Sequence, residues 1–150
     1  MTENEILAAQ QTWGDGVVHI GAASDWQTAH ERATTFVKQM YMTDGTLLFA
    51  PTKASQQQFR PTLKSAVSYF VGQDAAYPED KGFALEPWVN VRFENAGIQI
   101  DAGGVGFAMG NYFFQTADGV ETKVEYTFGY KRFKDGLKII LHHSALPFNP

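Results

Sequence analysis

Cysteine is absent from the 150 residues of this chain. Without thiols, the chain has no disulfide, no thiolate nucleophile, no iron–sulfur cluster and no zinc site of the cysteine type. Basic residues are also few, because 12 lysines and arginines stand against 16 aspartates and glutamates, for a net charge of −4. No basic stripe that would neutralise several phosphates is present, so we predict that the chain binds no nucleic acid.

Long apolar runs are missing too. None approaches the roughly 18–20 residues that cross a bilayer, so we predict no membrane span. Residues 1–5 lack the basic stretch and apolar run of a secretory signal, and we therefore expect a cytoplasmic protein. The glycines at 103, 104 and 106 are not followed by a helix that would complete a phosphate site, so we expect no cofactor.

Aromatic residues, in contrast, make up 14% of a chain that is 44% apolar. This length and composition suffice for one domain with a substantial core, and we expect residues 1–150 to form a single domain. Apolar spacing predicts helices over 3–22 and 25–42, with a bend in the first near Gly14 and Gly16. Thr62 is predicted to cap a third helix that ends at Gly72.

The apolar period changes to two after residue 83. This period predicts strands over 88–94, 98–101, 103–115, 122–133 and 137–146, after a short strand over 46–49, with a turn at 95–97. Asp118-Gly119 and Asp135-Gly136 predict hairpin turns. Helices grouped before a run of strands indicate an α+β fold, with the helices packed on one face of a curved antiparallel sheet.

The last strands resemble a known superfamily. Residues 124–131 (VEYTFGYK) and 139–147 (IILHHSALP) resemble the final hairpin of the SnoaL-like branch of the nuclear-transport-factor-2-like superfamily, and residues 107–114 (FAMGNYFF) resemble its preceding strand. Within that branch, the chain is similar to bacterial proteins that resemble the association domain of calcium/calmodulin-dependent protein kinase II. The resemblance implies one SnoaL-like domain, in which a cone-shaped sheet wraps around the N-terminal helices and encloses a pocket. It does not select a function, because the superfamily includes isomerases, cyclases, dehydratases and oligomerising modules.

His143 is the first candidate site residue. Alternation along the last strand places it with Leu141 on one face, and places His142 with Ser144 on the other. The resemblance implies that His143 faces the pocket, because association domains carry a basic residue at the matching position. An imidazole there would exchange protons or bind a ligand anion, and a structural buried histidine is the alternative.

Asn111 and Glu125 are assigned to the same pocket face on neighbouring strands. Asn111 would orient a ligand carbonyl or hydroxyl, or would only anchor the sheet. Glu125 would act as a general base, or would only hold His143 in a salt bridge. His143 and Glu125 are thus the catalytic candidates. The resemblance implies an arginine of the pocket at the position of Asn111, and related bacterial sequences often carry arginine at the position of Glu125. The chain is therefore not a direct copy of their pocket.

Two further residues complete the predicted ligand site. Arg60 belongs to a loop over 51–61 expected at the mouth of the cone, where it would meet an anionic ligand or tie the loop to the next helix. Tyr41, at the end of the second helix, would donate its hydroxyl into the cavity or belong to the core. Because His142 and His143 point to opposite faces of a strand, they cannot share an ion, and we predict no metal site.

Aromatic residues share the face opposite to His143, namely Tyr112, Phe114, Tyr126, Phe128 and Tyr130. An exposed apolar area of that size marks an interface, which predicts a homodimer through the outer sheet face. Together these features predict an uncharacterised small-molecule-binding protein, with proton-transfer chemistry of the isomerase, cyclase or dehydratase type as one interpretation. The alternative is a non-catalytic oligomerisation or ligand-sensing module similar to a kinase association domain.

Overall fold

The structure, a computed structural model, describes residues 1–150. Three helices, with a short strand between the second and the third, come first in the chain, and a short 3-10 turn and four long strands follow. The helices are α1 (Glu3–Gly21), α2 (Trp26–Met40) and α3 (Leu63–Val71). The strands are β1 (Phe49–Ala50), β2 (Asn90–Ile100), β3 (Val105–Gln115), β4 (Glu121–Phe133) and β5 (Gly136–Ala145).

The strands form one sheet in the order β1-β5-β4-β3-β2. Strands β2 to β5 pair antiparallel, and the short β1 joins the edge of β5 in parallel. The predicted hairpin turns are present, with Gly119 and Gly136 at φ angles of 86° and 122°, which glycine adopts without strain. The predicted α+β fold, with a curved sheet against the helices, is confirmed.

Each helix begins at a residue that caps it. The Thr2 and Thr62 side chains accept from the backbone N–H three residues on, in capping boxes that open α1 and α3. Asp25 accepts from the Thr28 N–H at 2.7 Å and opens α2. No helix is both long enough and apolar enough to cross a membrane.

Two glycine-containing segments differ from the prediction. The expected bend near Gly14 and Gly16 does not interrupt α1, and a Cβ on Gly16 would lie 2.5 Å from the Phe36 ring, so this glycine permits close helix packing. Residues 95–97 do not form a turn, because they lie within β2 as a β-bulge. The opposing Gly110 fits against that bulge, where a Cβ would lie 2.2 Å from the Glu94 carbonyl oxygen.

The aromatic band that was predicted on the outer face packs instead against the helices. All five of its members are buried, and Trp13 of α1 contacts the rings of Tyr112, Phe114 and Phe128. The face assignment was therefore wrong. Turning the aromatic rings inward removes the larger apolar area from water, which favours this arrangement. The band thus gives no reason to expect a dimer, and the homodimer stays a prediction.

A bulge in the last hairpin explains part of this error. Tyr130 pairs with Ile139 while the preceding Gly129 pairs with Leu141, so Ile140 is an extra residue in β5. Ile139 and His142 are consequently both buried on the inner face, although they are three residues apart. Strict alternation from the buried Ile139 would place Leu141 and His143 on the inner face. Because the bulge adds one residue, His142 lies on the inner face and His143 on the outer one.

Candidate functional site

The three predicted pocket residues lie on the outer face of the sheet. His143 and Glu125 are exposed and Asn111 is partly exposed. The register does bring Asn111 opposite Glu125, and it brings His143 opposite Thr127, but on the side away from the helices. Their placement in an inner cavity is wrong by one residue on each strand. A ligand-binding role for them stays a prediction that the inner cavity does not support.

Arg60 does not lie at a pocket mouth, because its side chain is fully buried in a salt bridge. The guanidinium donates to both carboxylate oxygens of Asp80 at 2.7 Å. Its Nε also donates to the Gln57 carbonyl at 2.8 Å, and its Nη1 donates to the Ser65 carbonyl at 3.1 Å. This geometry matches the alternative considered for Arg60, which ties the loop to α3 and buries the guanidinium away from any pocket mouth.

Tyr41 is buried one hydrogen bond away from a cavity in the core. Its hydroxyl oxygen accepts from the Trp13 indole N–H at 2.9 Å and lies 2.8 Å from Nδ1 of His142. His142 lines the cavity, whereas Tyr41 does not. The structure therefore places Tyr41 behind the cavity wall.

The cavity lies between α3, the segment after β1, and the inner ends of β3 and β5. Its volume is about 10 Å³, close to the room that one water molecule needs. Six aromatic residues and a proline form most of its wall, and one histidine and two aliphatic hydroxyls complete it. The lining residues are Trp13, Phe49, Pro51, Thr52, Tyr69, Phe70, Phe83, Tyr112, His142 and Ser144.

Four polar side chains of the cavity are hydrogen-bonded to one another, and the Tyr69 hydroxyl is bonded to the backbone. Thr52 Oγ1 lies 2.6 Å from Ser144 Oγ, which in turn is hydrogen-bonded to the Tyr112 hydroxyl. The same Tyr112 hydroxyl lies 3.2 Å from Nε2 of His142. The hydroxyl of Tyr69 accepts from a backbone N–H of the loop, that of Lys53, at 3.2 Å. Four hydroxyls and one imidazole thus surround a space that holds about one water molecule.

The parallel pairing of β1 with β5 brings this cluster together. Phe49 pairs with His142 and Ala50 with His143, and the His142 N–H donates to the Leu48 carbonyl at 2.8 Å. The chain then passes Pro51 and places Thr52 beside Ser144, although these residues are 92 positions apart. A two-residue strand therefore delivers one of the site's hydroxyls.

The cavity carries no ionised group. Burial lowers the pKa of His142 to about 3, and the charge of the neighbouring His143 adds to this effect, so the imidazole is neutral near pH 7. Burial also raises the pKa values of the Tyr41, Tyr69 and Tyr112 phenols above the ordinary value for tyrosine. All three phenols keep their protons, and the site therefore presents neutral donors and acceptors in an apolar surrounding.

The structure shows no cluster of metal-ligating side chains. No group of three or more His, Cys, Asp or Glu side chains lies close enough together to hold an ion. A more polar crevice of about 380 Å³ adjoins the cavity and shares Tyr69 and Phe83 with it. Lys53, Lys81 and Glu86 also line this crevice, which provides a contact between the buried site and water.

Solved structures of distant sequence share the fold. A calcium/calmodulin-dependent protein kinase II association domain from Xanthomonas campestris superposes with a TM-score of 0.64 at 17% identity, covering 100% of this chain and 91% of that one. A dehydratase of the NTF2-like family from Streptomyces avermitilis gives 0.56 at 11% identity, covering 97% of this chain and 96% of that one. These similarities define an NTF2-like fold.

The family follows from closer similarities. The family model described as metal-independent carbonic anhydrase matches residues 4–146. A metal-independent carbonic anhydrase of Nostoc sp. is 41% identical over 154 residues, which cover 99% of this chain and 75% of the relative. The crystal structure of a cyanobacterial iota-carbonic anhydrase complexed with bicarbonate superposes with a TM-score of 0.95 at 39% identity, covering 100% and 94% of the two chains. The chain belongs to the metal-independent carbonic anhydrase family.

This membership corrects the function expected from the sequence. An uncharacterised pocket protein with isomerase, cyclase or dehydratase chemistry is contradicted by the family match. The alternative of a non-catalytic oligomerisation or ligand-sensing module is contradicted in the same way. The NTF2-like resemblance was correct for the fold, but it did not reach the family.

Sequence reasoning missed the residues that line the cavity. His142 and Ser144 were assigned to the face of the aromatic band, so choosing that face as the inner one would have identified both. The signal was the size of the band, because five large rings on one face outweigh the apolar residues on the other. Thr52 and Tyr69 carried no comparable signal, since only the tertiary structure brings them to the strands.

Proposed function

We propose that the chain catalyses the reversible hydration of carbon dioxide to bicarbonate in the cavity between Thr52, Tyr69 and Ser144. The observation that carries the proposal is the cluster of hydroxyls around a space of about 10 Å³ in an apolar wall. Membership of the carbonic anhydrase family, and the bicarbonate complex of the cyanobacterial relative, support the assignment of this substrate.

The chemistry of the cavity suits both sides of this reaction. Carbon dioxide is uncharged and only weakly hydrated, so it can leave water at little cost. It can therefore enter a cavity lined by rings such as Phe49, Phe70 and Phe83. Negative charge then develops on its oxygens as the water oxygen bonds to the carbon. Fixed hydroxyl donors stabilise this charge more strongly in a dry site than in water, which is the electrostatic contribution typical of oxyanion sites.

The size of the cavity implies a local opening. The space accommodates about one water molecule, whereas bicarbonate has four heavy atoms. Thr52 lies outside the long strands, in a loop, and its hydroxyl contacts Ser144 directly. We expect Thr52 to move away from Ser144 when the substrate binds, so that both hydroxyls turn to the same ligand.

The reaction releases one proton, which must reach water. One O–H bond of the attacking water breaks as its oxygen bonds to the carbon of carbon dioxide. The crevice beyond Tyr69 and Phe83 is the route that adjoins the cavity, and it is lined by Lys53, Lys81 and Glu86. We assign the exit of the proton to solvent in this crevice.

Stopped-flow measurement of carbon dioxide hydration with a pH indicator, in buffer containing a chelator, tests the proposal. The wild-type chain should accelerate hydration. Thr52→Val and Ser144→Ala should each lower kcat about a hundredfold, as removal of one oxyanion donor does in other enzymes. Absence of activity in the folded wild-type chain would overturn the proposal.

Thr127→Val is the matched control. Thr127 lies opposite His143 on the outer face of β4, so its hydroxyl is remote from the cavity. The change of hydroxyl to methyl is the same as in Thr52→Val. The control should keep wild-type activity, and an equal loss in both variants would show that the hydroxyl of Thr52 has no special role.

A further inference from the structure

A row of hydrogen-bonded polar side chains crosses the core from α1 to the cavity. The Trp13 indole N–H donates to the Tyr41 hydroxyl at 2.9 Å, and this hydroxyl lies 2.8 Å from Nδ1 of His142. Nε2 of His142 lies 3.2 Å from the Tyr112 hydroxyl. Two further hydroxyl contacts lead to the cavity. In order, the relay consists of Trp13, Tyr41, His142, Tyr112, Ser144 and Thr52.

Trp13 fixes the direction of the hydrogen bonds in this relay. An indole N–H donates and cannot accept, so the Tyr41 O–H has only Nδ1 of His142 as an acceptor. If Nδ1 carried the ring proton, two N–H groups would point at the Tyr41 oxygen, and the Tyr41 O–H would be buried without a partner. Because an unpaired buried donor is costly, Nδ1 accepts and Nε2 carries the proton.

The same reasoning extends to the cavity. The Nε2–H of His142 donates to the Tyr112 oxygen, and the Tyr112 O–H is therefore left for Ser144. The Ser144 O–H then donates to Thr52, and the Thr52 O–H is free to donate into the cavity. In this arrangement the one relay donor without an acceptor is the Thr52 O–H, which is only partly buried and faces the cavity, whereas the reverse arrangement leaves the buried Tyr41 O–H without one.

We propose that His142 is a positioning residue that holds its single proton on Nε2 and thereby turns the hydroxyls between itself and the cavity so that they present donors to an anion. It is not the base that takes a proton from water. It is also not the route by which that proton leaves, because the relay ends at an indole that cannot accept. The role of the oriented hydroxyls in binding an anion rests on the proposed function. The location of the proton on Nε2 of His142 does not depend on it.

The surroundings of His142 keep it neutral. Its ring lies 4.4 Å from the Phe128 ring and 4.8 Å from the Phe49 ring, measured between centroids. The titratable groups that face it are the phenols of Tyr41 and Tyr112, and the adjacent His143 points to the other side of the sheet. Burial lowers its pKa to about 3, so its protonation does not change between pH 5 and 9.

Nitrogen-15 NMR of histidine-labelled wild-type protein tests the position of the proton. The signals that disappear in His142→Gln belong to His142. We expect a protonated Nε2 and an unprotonated Nδ1, unchanged from pH 5 to pH 9. A proton on Nδ1, a doubly protonated ring, or a titration within that range would each overturn the proposal. This experiment needs no activity, so it decides the proposal even if the chain does not hydrate carbon dioxide.

Two variants at position 142 then separate positioning from proton transfer. Glutamine supplies one acceptor and one donor but exchanges no proton, whereas phenylalanine keeps a ring and supplies neither. We expect His142→Gln to keep hydration activity within about tenfold of wild type, and His142→Phe to lose about a hundredfold, the effect of losing an oriented donor. An equal and complete loss in both variants, with thermal unfolding showing both to be folded, would show that His142 transfers protons.

Discussion

His142 and His143 are neighbours in the chain, yet they differ in every physical respect that matters to the site. His142 faces the helices, is buried among aromatic rings and hydrogen-bonds two phenols. His143 faces outward and is exposed. The same contrast separates Ser144 from the outer Thr127. Polar residues of the inner face act in a medium where an unpaired donor is costly, and those of the outer face exchange their partners with water.

The largest expected effect that tests this contrast concerns the buried salt bridge. Arg60→Ala leaves the carboxylate of Asp80 buried without its cation, and should lower the free energy of unfolding by about 3–5 kcal/mol, measured in urea. Arg132→Ala removes a half-exposed partner of Glu5 and should leave the urea midpoint nearly unchanged. Equal losses in the two variants would contradict the difference between the interior and the surface.

A double variant sharpens this result. Replacing Arg60 by Met and Asp80 by Leu removes both charges together, so no unpaired charge stays buried. We expect it to recover most of the stability lost in Arg60→Ala, because the loss comes from the orphaned carboxylate and not from the missing attraction.

A smaller effect concerns two tyrosines of β4 that share the inner face. The Tyr126 hydroxyl accepts from Gln10 Nε2 at 2.9 Å, whereas the Tyr130 hydroxyl is buried without a hydrogen-bond partner. Tyr126→Phe should cost about 1 kcal/mol of unfolding free energy, the usual net value of a hydrogen bond. Tyr130→Phe should cost nothing or stabilise the protein. Thermal and urea unfolding compare the two, and a larger loss in Tyr130→Phe would contradict the expectation.

The smallest effect concerns pH and the loop that carries Thr52. Backbone N–H groups of Gln57, Ser55 and Gln56 hold the Glu79 carboxylate and lower its pKa to about 2 from the 4.5 of an unperturbed glutamate. Because the folded pKa is the lower one, this contribution to stability is present above pH 4.5 and is lost as the pH falls toward 2. Urea unfolding between pH 6 and pH 3 should therefore show a weaker pH dependence in Glu79→Gln.

Glu31→Gln is a control for this measurement. The Glu31 carboxylate accepts only from the Gln27 side chain on the same helix, so its loss should leave the wild-type pH dependence in place. If both variants behaved alike, the loop N–H groups would not be the cause of the effect.

The sequence predicted the elements well and the faces poorly. Capping residues such as Thr62 and the Asp-Gly turns act through local hydrogen bonds and backbone angles, and these are set within a few residues. The assignment of faces failed because alternation gives two equivalent answers for each strand. The bulge at Ile140 then put Ile139 and His142, three residues apart, on the same face of β5, and no local residue pattern predicted it.

The candidate site depends on contacts between distant parts of the chain. Tyr41 was selected from the sequence and does lie behind the cavity, but its partners Trp13 and His142 are 28 and 101 positions away. Arg60 was predicted to meet a ligand at the pocket mouth or to tie the loop to the next helix, and the choice depended on Asp80, which lies in the segment beyond α3 and buries the guanidinium in a salt bridge.

The sequence by itself determined that the chain forms an α+β fold, without thiol chemistry, from three helices and a meander of strands. These properties follow from composition, period and turn residues, which act locally. Only the tertiary structure decided which face of the sheet is inside and which hydroxyls meet. The packing of α1 on the aromatic band and the parallel pairing of β1 with β5 made these choices, because both depend on area buried between segments far apart in the chain.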